Sequence, residues 1–444
     1  MKKRLLVPTI LFAFLAAQAK PLDQKWVQLF ENPQSADNLS FADAVVVDGS
    51  GNATVAGNFA TTNGYDFVTI KYSRSGTPMW TNYYDGPGHG SDIPAAMALD
   101  RKGNVFIAGT STSDNSTPDY VTIAYSSGGI PLWTNLYNSF LYNEDAAQAI
   151  AVDRKGDVYV TGYSSGNFFN YVTIKYSNAG VPLWTNSFRA AASYISPPKT
   201  ALALGKKGDV FVAGTVVNDA SFAAYATYAY SSDGMPLWTN YYNGSATESD
   251  KPSAIAVDNR DNVFVTGTTQ GNVGRSDIAT IAYSSAGKAL WTNRFDGPGH
   301  GDDSAKAITI NDRGDVFVGG GCALASWSGP SFGIVAYSRK GIPLWTNIYT
   351  EIGGDDVVTA MGTDSHGHVY VTGYSVNTGT GADFATIEYS RSGQPISTNR
   401  YDGATSNADS PSAIAIGRHG DVFVSGMSYG TNFAPDMTTI KYAP

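Results

Sequence analysis

Residues 149–162 read AIAVDRKGDVYVTG. Two short alternating stretches, Ala149–Val152 and Val158–Val160, flank Asp153-Arg154-Lys155-Gly156, a tight hairpin turn with Gly where φ > 0 is required. The hairpin recurs along the chain: GNATVAG from Gly51, GNVFIAG from Gly103, GDVYVTG from Gly156, GDVFVAG from Gly208, DNVFVTG from Asp261, GDVFVGG from Gly314, GHVYVTG from Gly367 and GDVFVSG from Gly420. The spacings are 52, 53, 52, 53, 53, 53 and 53 residues. A period this regular marks a repeat architecture.

Outward from the hairpin, each unit adds two more alternating stretches, such as Tyr171–Tyr176 and Leu183–Asn186, joined by the turn Ser177-Asn178-Ala179-Gly180. Four strands, A to D, in about 50 residues are the pattern of a β-propeller blade, and eight units predict an all-β, eight-bladed propeller. A solenoid is the alternative, and the termini argue against it. Lys25–Phe30 matches strand D but precedes the first strand A, while the chain ends on Thr439–Tyr442, a strand C with no strand D after it. The N-terminal strand is therefore expected to complete the last blade and close the ring, leaving no open sheet edge. Strand D carries Trp at 26, 80, 133, 184, 238, 291 and 345, with Ser397 as the exception. A residue present in nearly every unit is expected to pack one sheet against the next.

Composition agrees with strands and turns. The 38 acidic residues are 33 Asp and 5 Glu, beside 48 Gly and 35 Tyr plus Trp. Asp, Asn, Ser and Gly compete with helix backbone bonds, whereas Tyr, Val and Thr suit strands. Residues 1–19 join a basic start (Lys2, Lys3, Arg4) to an apolar stretch, Leu5–Ala17, and a small-residue site at Ala17-Gln18-Ala19. This reads as a secretory signal peptide, too short for a membrane span. A mature domain of residues 20–444 is expected in the periplasm, at the cell surface or outside the cell. It keeps 26 basic against 38 acidic residues, which disfavours a nucleic-acid partner. The single Cys322 forms no intramolecular disulfide.

The run A-I-A-V-D-x-x-G-D-V-Y-V-T-G resembles the bacterial β-propeller repeats called SBBP, found in exported and surface proteins, and the resemblance extends over all eight units. It implies the fold; that family has no common chemistry. Tyr-Ser-x-x-Gly-x-Pro-Leu-Trp, as at Tyr125–Trp133, is similar to the tryptophan-docking motif of eight-bladed quinoprotein dehydrogenases. That likeness implies a quinone pocket with an adjacent Cys pair and a calcium set. Cys322 stands alone, and the calcium set falls on no motif here.

In a four-stranded meander the A–B and C–D turns share one face and the B–C and D–A loops the other. The turns are short, uniform and rich in Arg and Lys. The loops are long, variable and acidic, so binding is expected on the loop face. Six units place an acid eight residues before the A–B turn: Asp92, Asp145, Asp250, Asp303, Asp356 and Asp409, expected around the mouth of the central channel. A second set starts strand C at Asp66, Asp119, Asp277, Asp383 and Asp436. Capping of backbone N–H groups is one reading of these acids. A site for Ca²⁺ or another cation is the other, though no EF-hand-like loop is present. No cofactor is assigned, with Ca²⁺ as the one this pattern would admit.

Departures from the repeat add candidates. The identical segments DGPGHG at Asp85–Gly90 and Asp296–Gly301 place His89 and His300 on opposite sides of the ring. Among loop aromatics, Phe168, Phe169, Trp327, Tyr429 and Phe433 would suit stacking on a sugar, and Trp327 and Phe433 join the ligand-binding set. No G-x-S-x-G elbow, H-E-x-x-H or C-x-x-C motif is expected, and no catalytic residue is assigned. The expectation is a monomeric, non-catalytic binding or interaction module that takes a protein or carbohydrate ligand on its acidic loop face. The alternative is a propeller enzyme of lyase, glycoside-hydrolase or quinoprotein type.

Overall fold

The computed structural model describes residues 21–443 except 33–38, 115, 140–142, 167, 193–198, 218–222, 245–248, 272–274, 326–328, 352–354, 378 and 432. The stretch read as a signal peptide and Trp327 lie outside the described residues. Those residues form eight four-stranded antiparallel sheets, with neighbouring strands paired in sequence order. Blade 1 is Ser40–Val47, Ala53–Ala60, Tyr65–Tyr72 and Pro78–Tyr84, and blades 2 to 7 repeat it. Blade 8 takes its first three strands from Ser410–Ile416, Val422–Tyr429 and Pro435–Ala443, and its outermost strand from Asp23–Phe30. Val27 sits opposite Ile440 and Leu29 opposite Thr438 in that last pair. The ring closes as the termini imply. Across the join, the Ser412 hydroxyl donates to the Ala42 carbonyl at 2.6 Å, and the Met437 amide donates to Ser40 Oγ at 2.8 Å.

The core lies between blades rather than within them. Each buried cluster joins two neighbours, as where Phe106, Tyr120 and Ala124 of blade 2 meet Val158, Val160 and Ile174 of blade 3. A sheet with two apolar faces explains why strands B and C are buried along their length. Strand A carries a β-bulge in every blade except the fourth. The bulge pushes a strand A carbonyl against strand B, and a Cβ on Gly162 would lie 1.9 Å from the Ala146 oxygen. The last Gly of AIAVDRKGDVYVTG is thus a bulge requirement.

The strand D tryptophans join blade to blade. Trp133 donates its indole N–H to the Asn178 carbonyl in the C–D turn of the next blade at 3.0 Å, and Trp238 reaches Ser285 at 2.8 Å. The ring lies flat on the turn glycine, where a Cβ on Gly180 would come within 2.6 Å of Trp133. Two residues on, Asn135 donates to the Gly180 carbonyl at 2.8 Å. The A–B turns close by a different device. The Asp153 carboxylate accepts the amides of Lys155 and Asp157 at 2.8 and 3.0 Å, a reach that suits Asp and not Glu. This geometry favours Asp over Glu at the five A–B turns that use it, Asp48, Asp100, Asp153, Asp258 and Asp364.

Candidate functional site

The loop face is built from strand ends. The six acids expected at the channel mouth are at most 1% exposed, so they do not line an open mouth. Asp92 accepts the amides of Gly86 and Thr112 at 2.6 and 3.1 Å, clamping the D–A loop to the end of strand B. Asp250, Asp303, Asp356 and Asp409 make the same pair of bonds to their own loops. Asp145 takes the amide and hydroxyl of Ser139 at 2.8 and 2.9 Å. Burial raises Asp92, Asp303 and Asp356 above the usual carboxylate range and pushes Asp409 up to about 6, against the pull of those bonds.

His89 and His300 occupy matching loops four blade junctions apart, so the fold keeps them apart. Each is exposed at positive φ, 49° and 48°, and meets the loop carboxylate four residues earlier, Asp85 at 2.7 Å and Asp296 at 2.8 Å. These bonds raise both imidazoles above their ordinary value. Phe433 is 71% exposed and sits at φ 61°, a region bulky side chains rarely adopt. Phe168 lies beneath the Arg189 guanidinium at 3.4 Å, and Phe169 is buried against Tyr163.

Sequence reading treated the strand A and strand C acids as separate sets and passed over the loop acid between them. In the structure Asp66, Asp85 and Asp92 converge, as do Asp277, Asp296 and Asp303, and Asp383, Asp402 and Asp409. Burial first, then repulsion from Asp85 and Asp92, pushes Asp66 up to about 6. The signal was available: the loop acid always stands five residues after the strand D Trp or its Ser397 substitute. It was hidden because each triad combines two blades.

The turn face carries concave surface. Two adjoining hollows, of about 430 and 330 Å³, share Val152, Asp153 and Arg154 and are rimmed by Arg101, Lys155, Lys206, Lys207 and Arg418. Basic side chains at this face match the charge division read from the sequence. Two strings that spell G-x-S-x-G, at Gly162–Gly166 and Gly426–Gly430, run along strand B with no helix after them. Ser164 bonds Ser139 and Ser428 bonds Thr438 at 2.6 and 2.7 Å. Cys322 is buried, which drives its thiol upward and away from the reactive thiolate. His368 meets Glu388 at 2.9 Å at the A–B turn. No helix of the described residues is long and apolar enough to cross a membrane.

Comparison with known proteins bears on the fold. The beta-propeller repeat model, SBBP, matches residues 86–115, 136–169 and 237–275, in blades 2, 3 and 5, so the chain carries repeats of the kind its sequence resembles. No curated protein matches the chain. Solved structures that resemble it include the polysaccharide lyase Uly1, at 10% identity and TM-score 0.47, covering 80% of this chain and 91% of that one. The β-propeller domain of the Trilobed protease from Pyrococcus furiosus matches at 8% and 0.46, covering 78% and 93%. A protein of unknown function from Dyadobacter fermentans matches at 10% and 0.43, covering 67% and 94%. Likenesses this weak carry no inference about the chemistry of this chain.

Proposed function

We propose that the protein is an exported, non-catalytic binding module that takes a carbohydrate ligand on its loop face around blade 8. Phe433 is the observation that carries this reading. A large aromatic held at positive φ carries backbone strain, and strained positions cluster where a ligand contact uses them. An exposed aromatic ring on the loop face suits stacking against the apolar face of a sugar. Export rests on the features of residues 1–19, and action as a monomer accords with eight complete four-stranded blades that leave only the short edge strands of a propeller.

A glycan array probed with residues 20–444, followed by calorimetry on the best ligand, tests the proposal. Phe433→Ala is expected to weaken binding about tenfold, or ~1.4 kcal/mol, while leaving the melting temperature within a degree or two. An empty array combined with turnover of a polysaccharide or an alcohol overturns the reading in favour of an enzyme.

A further inference from the structure

The three carboxylate triads differ in what already neutralises them. At the junctions of blades 1 with 2 and 5 with 6, the loop acid is taken by a histidine, Asp85 by His89 and Asp296 by His300. At the junction of blades 7 and 8 the histidine position is Ser406, and Asp402 is exposed with no hydrogen bond among the described residues. Asp383 in the same triad is 2% exposed. Its Oδ2 accepts Arg400 Nη2 at 2.6 Å and the Thr380 hydroxyl at 2.8 Å, whereas its Oδ1 is buried with no partner among the described residues. Arg400 is held on the far side by Ser375, through its hydroxyl at 2.9 Å and its carbonyl at 3.0 Å. Asp409 gives one oxygen to the Gly403 amide and the other to Tyr429, so each keeps a free lone pair.

Three carboxylates against one guanidinium leave two negative charges. The ligand oxygens lie within 4.8 Å of one another, a separation that a single ion with Ca–O distances of roughly 2.4 Å bridges. No nitrogen or sulfur donor belongs to the triad, so a hard cation suits it and a zinc-type ion does not. We propose that Asp383, Asp402 and Asp409 form a Ca²⁺ site between blades 7 and 8, with water completing the coordination. The ion would meet the unpartnered Asp383 oxygen and bind strand C of blade 7 to strand A of blade 8. This site stands independently of the carbohydrate reading, since Phe433 is no part of it.

Calorimetric Ca²⁺ titration of the chelator-stripped full protein tests the assignment, with terbium luminescence as a second readout. One saturable site with Kd on the order of 10⁻⁴ M is expected, as in extracellular modules. Asp402→Asn should weaken it at least tenfold without changing the calcium-free melting temperature, because the exposed Asp402 side chain holds no structural bond. Asp85→Asn should leave binding unchanged. Absence of saturable binding in the wild type overturns the site, as does undiminished binding by Asp402→Asn or a loss that follows Asp85→Asn instead.

Discussion

Seven blade junctions are held by a Trp on a glycine, and the junction between blades 7 and 8 is not. In blade 8 the chain ends on strand C and restarts from the N-terminus, so no C–D turn exists to present a glycine. Leu22 occupies that place. Asn399 donates to the Leu22 carbonyl at 2.9 Å, as Asn135 does to Gly180, and accepts the Leu22 amide at 2.7 Å. The Leu22 side chain is buried among Tyr370, Phe384 and Tyr442. Opposite it, Ser397 replaces the indole and donates to Glu388 at 3.1 Å. Large-on-small has become small-on-large: where the backbone cannot be a bare turn, bulk moves from the strand D residue to the residue it faces. Packing at fixed volume explains the exchange.

The strongest way to break this comparison is to delete residues 21–30. Leu22 and the closing strand go together, Pro435–Ala443 becomes an open edge, and cooperative unfolding above 37 °C should be lost. A truncated chain that melts like the full one would show that the ring is held without its latch. The next effect is at single residues. Trp238→Ala should cost about 3 kcal/mol in denaturant unfolding, against less than ~1 kcal/mol for Ser397→Ala. Ser397→Trp alone should cost roughly 1–3 kcal/mol by overpacking, and adding Leu22→Gly should recover much of it. A strictly additive double mutant would dissolve the exchange between the two positions.

The smallest expected effect concerns the junction on the other side of blade 8. Asp43, in the bulge of the first strand A, accepts Asn58 Nδ2 at 2.9 Å, yet burial pushes its carboxyl up to about 7. The folded state therefore holds a proton that the unfolded chain releases near pH 4. The stabilisation is complete below that pH and is lost as pH rises through about 7. The melting temperature should drop by roughly 2–4 °C between pH 5 and 8 on this account, and Asp43→Asn should flatten that slope. An equally steep profile in Asp43→Asn would assign the slope to other groups.

Much of the fold was legible because each blade repeats the same local chemistry. Asp153 and Gly156 mark a hairpin, Trp133 marks strand D, and the displaced Lys25–Phe30 strand gives the closure. Ser397 was visible only as an exception, since its reason is Leu22, 375 residues earlier in the chain. The candidate site was legible in part. The strand A acids stood out by periodicity, but whether a carboxylate faces solvent or two backbone amides depends on how the D–A loop folds over strand B. The convergence of Asp383, Asp402 and Asp409 was hidden for a similar reason, as each belongs to a different element.

By itself the sequence determined the repeat, the four-strand unit, the number of blades and the closing strand. These follow from period, turn residues and offset, all carried by neighbouring positions. The tertiary structure decided what each repeated acid and tryptophan touches. Those contacts form between blades about 50 residues apart, where burial, volume and charge are settled only once the ring has closed.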